Sequence, residues 1–319
     1  ALLNHILTFN KINSVIGGNF GLPACEIIDP GTKGIIILEL SSYQLDGASR
    51  LSLHAAAIIN ITPDHIDYHD DFDAYTKSKL KIISFLDQDS KLIINNDDLY
   101  LNKIIDTQEI AKSKLIKINS SIGKDFVQNS IYLSGNHNHI NTAIAIALAQ
   151  TIELNEEQIK LAINSFKGLP HRLEPIFSSD KITIINDSKA TNGEATAAAL
   201  SSFKNIFWIA GGKSKSDGIG KASNCLKNVL KIFLFGESSK FFSKQIFALN
   251  KHIPVIYCET LEKATKLAIH KSQNSELENI IILLSPAAAS FDQFQNFEER
   301  GDHFKKVVNL YSKTGNLVC

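Results

Sequence analysis

The sequence predicts an α/β protein built of two parallel-sheet domains in series, the second a doubly wound, Rossmann-like sheet. Three observations carry this. From Gly34 onward, runs of Ile, Leu and Val alternate with helical patterns, the alternation that builds strand–helix–strand units. The runs are apolar throughout, as strands covered on both faces must be. A stop at Lys167-Gly168-Leu169-Pro170 splits the alternation into two series, and 319 residues exceed one ordinary core.

Residues 1–7 place apolar side chains at helical spacing with no capping residue ahead, so they read as a helix entered midway. Strands follow at 34–40, 55–60 and 91–95. Between the last two, residues 72–85 carry one apolar helical face, with Asp70 or Asp71 as N-cap and Lys77, Lys79 and Lys81 on the helix. The weaker, shorter pattern at 100–132 predicts a small antiparallel extension at a sheet edge. Helices are predicted at 138–150 and 155–166, the second started by Asn155 and the glutamates after it. Gly168 and Pro170 stop that helix, giving domains 1–168 and 169–319 with a hinge at 167–170. Strands resume at 182–186, 206–210, 231–235, 255–257 and 279–284, with a helix expected in each interval.

Bulk properties exclude several classes. Lys plus Arg and Asp plus Glu both number 33, so there is no broad basic field for nucleic acid. The longest apolar runs have the length of buried strands and fall short of a membrane span. Cys25, Cys225, Cys258 and Cys319 are scattered, matching neither metal-ligand nor disulfide spacing, which predicts reduced cytoplasmic thiols. No signal-peptide pattern is visible. A neutral chain must hold any anionic ligand with local groups.

Strand ends in such sheets face a shared crevice, so the breaks from apolar to polar residues are informative. Five stand out. Glu39-Leu40-Ser41-Ser42-Tyr43-Gln44 begins with a strand-end carboxylate, either a satisfied acid or a Mg²⁺ ligand. Asn60 to His69 concentrates two histidines and two aspartates, an unusual density for a merely solvated loop. Lys79, on the following helix, has by residue physics alone only the reading of a solvent-facing lysine. Asp187-Ser188-Lys189-Ala190-Thr191-Asn192 offers an acceptor, a cation and a hydroxyl on one extended turn, with a helix cap as the plainer reading. Ser285-Pro286-Ala287-Ala288-Ala289-Ser290 is a run of small residues that lets backbone N–H groups approach an anion.

Gly17-Gly18-Asn19-Phe20-Gly21-Leu22-Pro23, the Glu39 to Gln44 segment, Thr62-Pro63-Asp64-His65-Ile66-Asp67 and Ser134-Gly135-Asn136-His137-Asn138 with Asn141 together resemble the central ATPase domain of the Mur ligases. Several of these segments are shared more loosely with folylpolyglutamate synthases. Gly168-Leu169-Pro170-His171-Arg172, the Asp187 to Asn192 turn and Leu284 to Phe294 resemble the branch that adds D-glutamate to UDP-N-acetylmuramoyl-L-alanine in peptidoglycan synthesis. The resemblance covers essentially the whole chain.

It implies a mononucleotide-binding first domain and a ligase second domain that binds the amino acid. The implied reaction is phosphorylation of a carboxylate by ATP, attack of the incoming amine on the acyl phosphate, and collapse to amide and phosphate. Glu39, His65 and Lys79 would be catalytic and would hold Mg²⁺, Lys79 as a carbamate. Asn138, Asn141, Arg172, Asp187 and Lys189 would bind the nucleotide. Asn19, Ser41, Thr191, Lys215, Ser290 and Phe297 would bind substrate, with Lys213 the alternative to Lys215. A monomer without nucleic-acid or membrane partners is expected. The chain carries no G-x-x-x-x-G-K-[ST] phosphate loop; Gly31-Thr32-Lys33-Gly34 reads as a turn. The expectation is an N-terminally incomplete enzyme that is inactive as it stands. The alternatives are another ligase of the superfamily, or a non-catalytic binding module from a split gene.

Overall fold

Residues 1–63, 66–111, 114–127 and 130–313 are described in the computed structural model. They fall into two units, Ala1–Phe166 and Lys167–Cys319, each an α/β arrangement in its own right. No helix among the described residues is long and apolar enough to cross a membrane.

In the first unit, α1 (Leu2–Phe9) leads into β1 (Ser14–Gly18), which pairs in parallel with β2 (Ile35–Glu39). The sequence reading missed β1 because its pattern is short and ends in two glycines. Gly31 to Gly34 closes the connection as the expected turn, Gly34 N–H donating to Gly31 O at 2.8 Å. Next come α2 (Ser42–Gly47), β3 (Leu53–Ile58), α3 (Ile66–His69), α4 (Phe72–Leu80) and β4 (Leu86–Asn95). Asp71 caps α4, its Oδ1 accepting from Ala74 N–H at 2.7 Å. The helix expected to reach 85 stops at Leu80, and a 3₁₀ turn over Lys81–Phe85 leads straight into β4. With no residues left for a loop, the tighter helix makes the turn and buries Phe85.

The segment 100–132 departs from expectation. It holds α5 (Leu99–Ile105), β5 (Leu115–Ile118) and α6 (Ser120–Val127), and β5 runs parallel to β4. The α5 crossover makes this possible. As a four-residue edge strand, β5 carries too little apolar signal to declare its direction. The sheet order is β3-β4-β5. Helix α7 (Asn136–Gln150) is buried along most of its length by its Ala and Ile residues, and α8 (Glu156–Ser165) starts with a capping box on Asn155 and Gln158. Residues of α7 contribute both to the core shared with α1 and α8 and to the core beneath β4 and β5.

The second unit holds β6 (Glu174–Ser178), β7 (Ile182–Asn186), α9 (Gly193–Ser202), β8 (Ile206–Gly211), β9 (Val229–Phe235), α10 (Ser239–Leu249), β10 (Val255–Tyr257), α11 (Leu261–Gln273), β11 (Ile280–Leu284) and α12 (Phe297–Lys313). The sheet order is β10-β9-β8-β11-β7-β6, parallel except for β6. Pro175 confines β6 to the edge, since proline has no N–H for a second neighbour. The interval before β9 contains 3₁₀ turns over Gly220–Asn228 instead of the expected helix; positive φ at Gly218 and Gly220 breaks any α-helical run. Phe207, Ile209, Phe233 and Phe235 share one core with residues of α11 and α12. Phe233 is fully buried and its ring centroid lies 5.9 Å from that of Phe207. Phe233→Ala is therefore expected to cost about 3–5 kcal/mol, read as a lower urea midpoint of the fluorescence of Trp208, the chain's single tryptophan. Leu249→Ala, at a residue 61% exposed, should leave that midpoint in place.

Candidate functional site

Asn19, Glu39, Ser41 and Lys79 line one cleft of the first unit. Local chemistry explains their placement. Gly18 has φ +99°, and a Cβ there would lie 2.3 Å from Glu39 O; only glycine lets the chain after β1 come this close to β2. Asn19 N–H then donates to Glu39 O at 2.7 Å, and its side-chain amide reaches Glu39 Oε1 at 3.3 Å. Ser41 caps α2 in a reciprocal box with Gln44. Lys79 lies on α4 with Nζ 5.5 Å from the centre of the Tyr75 ring.

Sequence reasoning passed over what holds α2 against α4. Ser42, almost wholly buried, bonds His69 Nε2 through its hydroxyl at 2.9 Å, and its carbonyl accepts from Ser78 Oγ at 2.7 Å. His69, one of the two histidines singled out as possible ligands, is thus a core residue, and Asp67 is exposed. Asp64 and His65 lie outside the described residues. Among the described residues no group of three or more His, Cys, Asp and Glu could hold a metal ion. Asn138 and Asn141 fall in the first turns of α7, where Asn138 Nδ2 donates to Ser134 O at 3.0 Å. Asn141 shares a helical stripe with Ile144 and Leu148, both of which line the cleft.

In the second unit, the carboxyl ends of three adjacent strands, β7, β11 and β8, carry three turns that are tied to one another. Ala287 N–H donates to Ala190 O at 3.0 Å, and Lys213 and Ala289 exchange backbone bonds at 2.9 and 3.0 Å. Gly212 stands at φ +130°, where a Cβ would meet Ala289 O at 2.3 Å, so glycine is what allows the third turn to dock. This brings Asp187, Lys189, Thr191 and Ser290 together with the turn that carries Lys215. Lys189 Nζ sits 4.0 Å from the centre of the Phe297 ring, a cation–π contact at the head of α12. Ser290 is buried, whereas Arg172, Lys213 and Lys215 are exposed.

Two buried charges of opposite character organise these turns. Asp187 accepts from Ser285 Oγ at 2.9 Å and from Leu173 N–H at 3.2 Å. Burial nevertheless raises its pKa from 3.8 to about 7, against those bonds and the nearby Arg172 charge. Arg300, fully buried on α12, donates from Nε to Ser188 Oγ at 3.0 Å, from Nη2 to Ser188 O at 2.8 Å and from Nη1 to Ala288 O at 2.9 Å. Burial draws its pKa down to about 10, so it stays charged at neutral pH. Arg300 was absent from the sequence reading. Its signal was there: it precedes Phe304 and Val308 by four and eight positions, on the buried stripe of α12.

The raised Asp187 pKa has a sign that can be tested. The folded protein keeps the proton up to about pH 7, while the unfolded chain releases it near 3.8. The contribution of Asp187 to stability is therefore fully present below about pH 4 and is lost as pH rises toward 7. Asp187→Asn, which keeps an acceptor for Ser285, should gain stability relative to the parent across that window and hold a constant advantage above it. Urea unfolding at a series of pH values, followed at Trp208, whose Nε1–H donates to Ser285 O at 2.7 Å, measures this. A pH-independent difference would mean that Asp187 is ionised in the folded protein.

Residues 24–149 match the model of the Mur ligase middle domain, and residues 171–288 that of the Mur ligase, glutamate ligase domain. The UDP-N-acetylmuramoylalanine--D-glutamate ligase of Rickettsia felis is 36% identical over 327 aligned positions, covering 96% of this chain and 71% of the relative. The protein of the same name from Zymomonas mobilis is 35% identical, with 97% and 68% covered. Among solved structures, the UDP-N-acetylmuramate-alanine ligase of Thermotoga maritima matches with a TM-score of 0.65 at 14% identity, over 98% of this chain and 72% of that one. MurF ligase from the same organism, in complex with ADP, matches at 0.64 and 14%, over 97% and 77%. The two solved structures share the fold, and the sequence relatives place the lineage: this chain belongs to the Mur ligase family.

Proposed function

We propose that the chain supplies the ATP-binding and amino-acid-binding parts of a ligase that joins D-glutamate to UDP-N-acetylmuramoyl-L-alanine in peptidoglycan synthesis. The observation that carries this reading is the cluster of turns at the ends of β7, β8 and β11. D-glutamate presents two carboxylates, which need a cation, hydroxyls and backbone donors in one place. Lys215, Thr191, Ser290 and Phe297 are assigned to it, with Lys213 beside Lys215 on the same turn. Arg172, Asp187 and Lys189 are assigned to the nucleotide. The names of the sequence relatives point to the same amino acid.

In the first unit, Asn138 and Asn141 are assigned to the nucleotide and Asn19 and Ser41 to the substrate. Mg²⁺ prefers oxygen donors and keeps several waters. Glu39 at the end of β2 suits it, and a carbamate on Lys79 would turn a cation into a second oxygen ligand; His65 is assigned as the third. The bound ion would neutralise phosphate charge while the substrate carboxylate is phosphorylated. The chain's own groups position the reactants: Asn19 orients the Glu39 carboxylate, and Ser42 with Ser78 fixes the helices that present Ser41 and Lys79. The functional domains divide at Gly168. A cytoplasmic setting fits Cys225 and Cys258, free thiols whose pKa values burial raises.

The test is phosphate release from ATP and UDP-N-acetylmuramoyl-L-alanine by a protein that joins this chain to a phosphate loop, with D-glutamate, L-alanine or a diamino acid as acceptor. D-glutamate should support turnover and the others should not. Thr191→Ala and Lys215→Ala should raise KM for D-glutamate about tenfold or more, the scale of a lost bond to a charged group. Lys79→Ala should lower kcat by about a hundredfold or more. Preferred turnover of another amino acid would overturn the assignment.

A further inference from the structure

Helix α10 departs from the pattern of a surface helix. Its inner face buries Phe242 and Ile246, and the opposite face of such a helix is ordinarily polar. Here Phe241 and Leu249 are exposed and Phe247 is 67% exposed. Lys240, Lys244 and Phe247 stand at i, i+4 and i+7, one stripe turned to solvent, with Phe241 bordering it. Edge strand β10 adds Tyr257, 59% exposed. The chain steps outward from β9 to β10 and then back across the sheet to β11, so right-handed crossovers put α10 and α11 on opposite faces. Ile256 packs against the core that contains α11, and Tyr257, the next residue, therefore points to the α10 side. Charge is divided in the same way. From Ser238 to Cys258 there are three lysines, Lys240, Lys244 and Lys251, and one histidine, with no Asp or Glu. All three lysines are exposed, and among the described residues none of them is in an ion pair. On α11, across the sheet, Lys263 pairs with Glu259 and Lys266 with Glu262.

We infer that the outer side of α10, with Lys251 and Tyr257 beside it, is a membrane-contact surface that rests on the headgroups of an anionic lipid bilayer. Unpaired lysines with no acid among them select an anionic partner. Exposed rings between those lysines select a lipid interface. Phe241, Phe247 and Leu249 can enter the boundary between headgroups and acyl chains while the neighbouring ammonium groups stay with the lipid phosphates. Tyr257 has the apolar ring and polar tip of an interfacial anchor. A convex helix face offers no groove for a partner's side chains, so a protein would have to supply ring-sized pockets and acidic groups in register, whereas a fluid interface adapts to the rings. The contact lies along the bilayer and needs no membrane-crossing helix. It departs from the expectation of no membrane partner because Phe241 and Phe247 are seen to face outward only once Phe242 and Ile246 are placed in the core. One short face of this kind gives weak, reversible attachment. The inference does not depend on which amino acid the ligase adds.

The test is co-sedimentation of the 319-residue chain with vesicles of phosphatidylglycerol and phosphatidylethanolamine, set against vesicles of phosphatidylcholine alone. The chain should pellet with the anionic vesicles only, and about 0.5 M NaCl should release most of it. Lys240→Gln, Lys244→Gln and Lys251→Gln together should weaken partitioning about a hundredfold, at roughly fivefold for each lysine. Phe241→Ser with Phe247→Ser, at unchanged charge, should weaken it about tenfold or more. The control is Lys271→Gln, Lys306→Gln and Lys313→Gln, the same loss of charge at exposed lysines of α11 and α12, which should keep most of the binding. The substituted side chains are all exposed, so each variant should keep the parent's Tm. Failure to pellet with anionic vesicles would overturn the proposal, as would an equal loss in the control, which would assign the binding to net charge alone. Dimerisation that the α10 substitutions abolish, without vesicle binding, would give the face to a second copy. Binding of polyglutamate in place of vesicles, lost in the same variants, would give it to an acidic protein.

Discussion

The three turns of the second unit depend on the guanidinium of Arg300. A buried arginine cannot shed its proton under ordinary conditions, so each of its nitrogens needs an acceptor. Here the acceptors are the carbonyl and hydroxyl of Ser188 and the carbonyl of Ala288. One side chain thus fixes the turn that carries Lys189 and Thr191 and the turn that carries Ser290. The third turn follows through the backbone bridge between Lys213 and Ala289. Asp187 answers burial in the opposite way, by holding its proton.

The first unit solves a similar positioning problem with neutral groups. Ser42 joins His69 and Ser78, and this fixes the relation between α2 and α4. Ser41 and Lys79 stand beside those anchors in sequence, so each is one residue from a buried bond.

Much of the candidate site was legible because strand ends announce themselves. Glu39 and Ser285 each follow an unbroken apolar run, and Asp187 follows Ile184-Ile185-Asn186; polar residues at such points have few purely structural reasons to be there. Ser42, Ser78 and Arg300 escaped notice because their importance lies in partners far away in sequence: 112 positions separate Arg300 from Ser188. The density of ligand-type residues between Asn60 and His69 was an ambiguous signal, for it does not distinguish a histidine facing solvent or metal from one facing a buried serine.

The sequence by itself determined the parallel strands of the second unit, while missing the edge strand β6, and the cap on Asn155, since burial periodicity and capping bonds are local. Family membership was also present in dispersed motifs. Only the tertiary structure decided that β11 lies between β7 and β8, that β5 runs parallel to β4, and that His69 belongs to the core. Strand order and partner choice arise from contacts between segments far apart in the chain, and a five-residue apolar run has no local means of stating which neighbour it will meet.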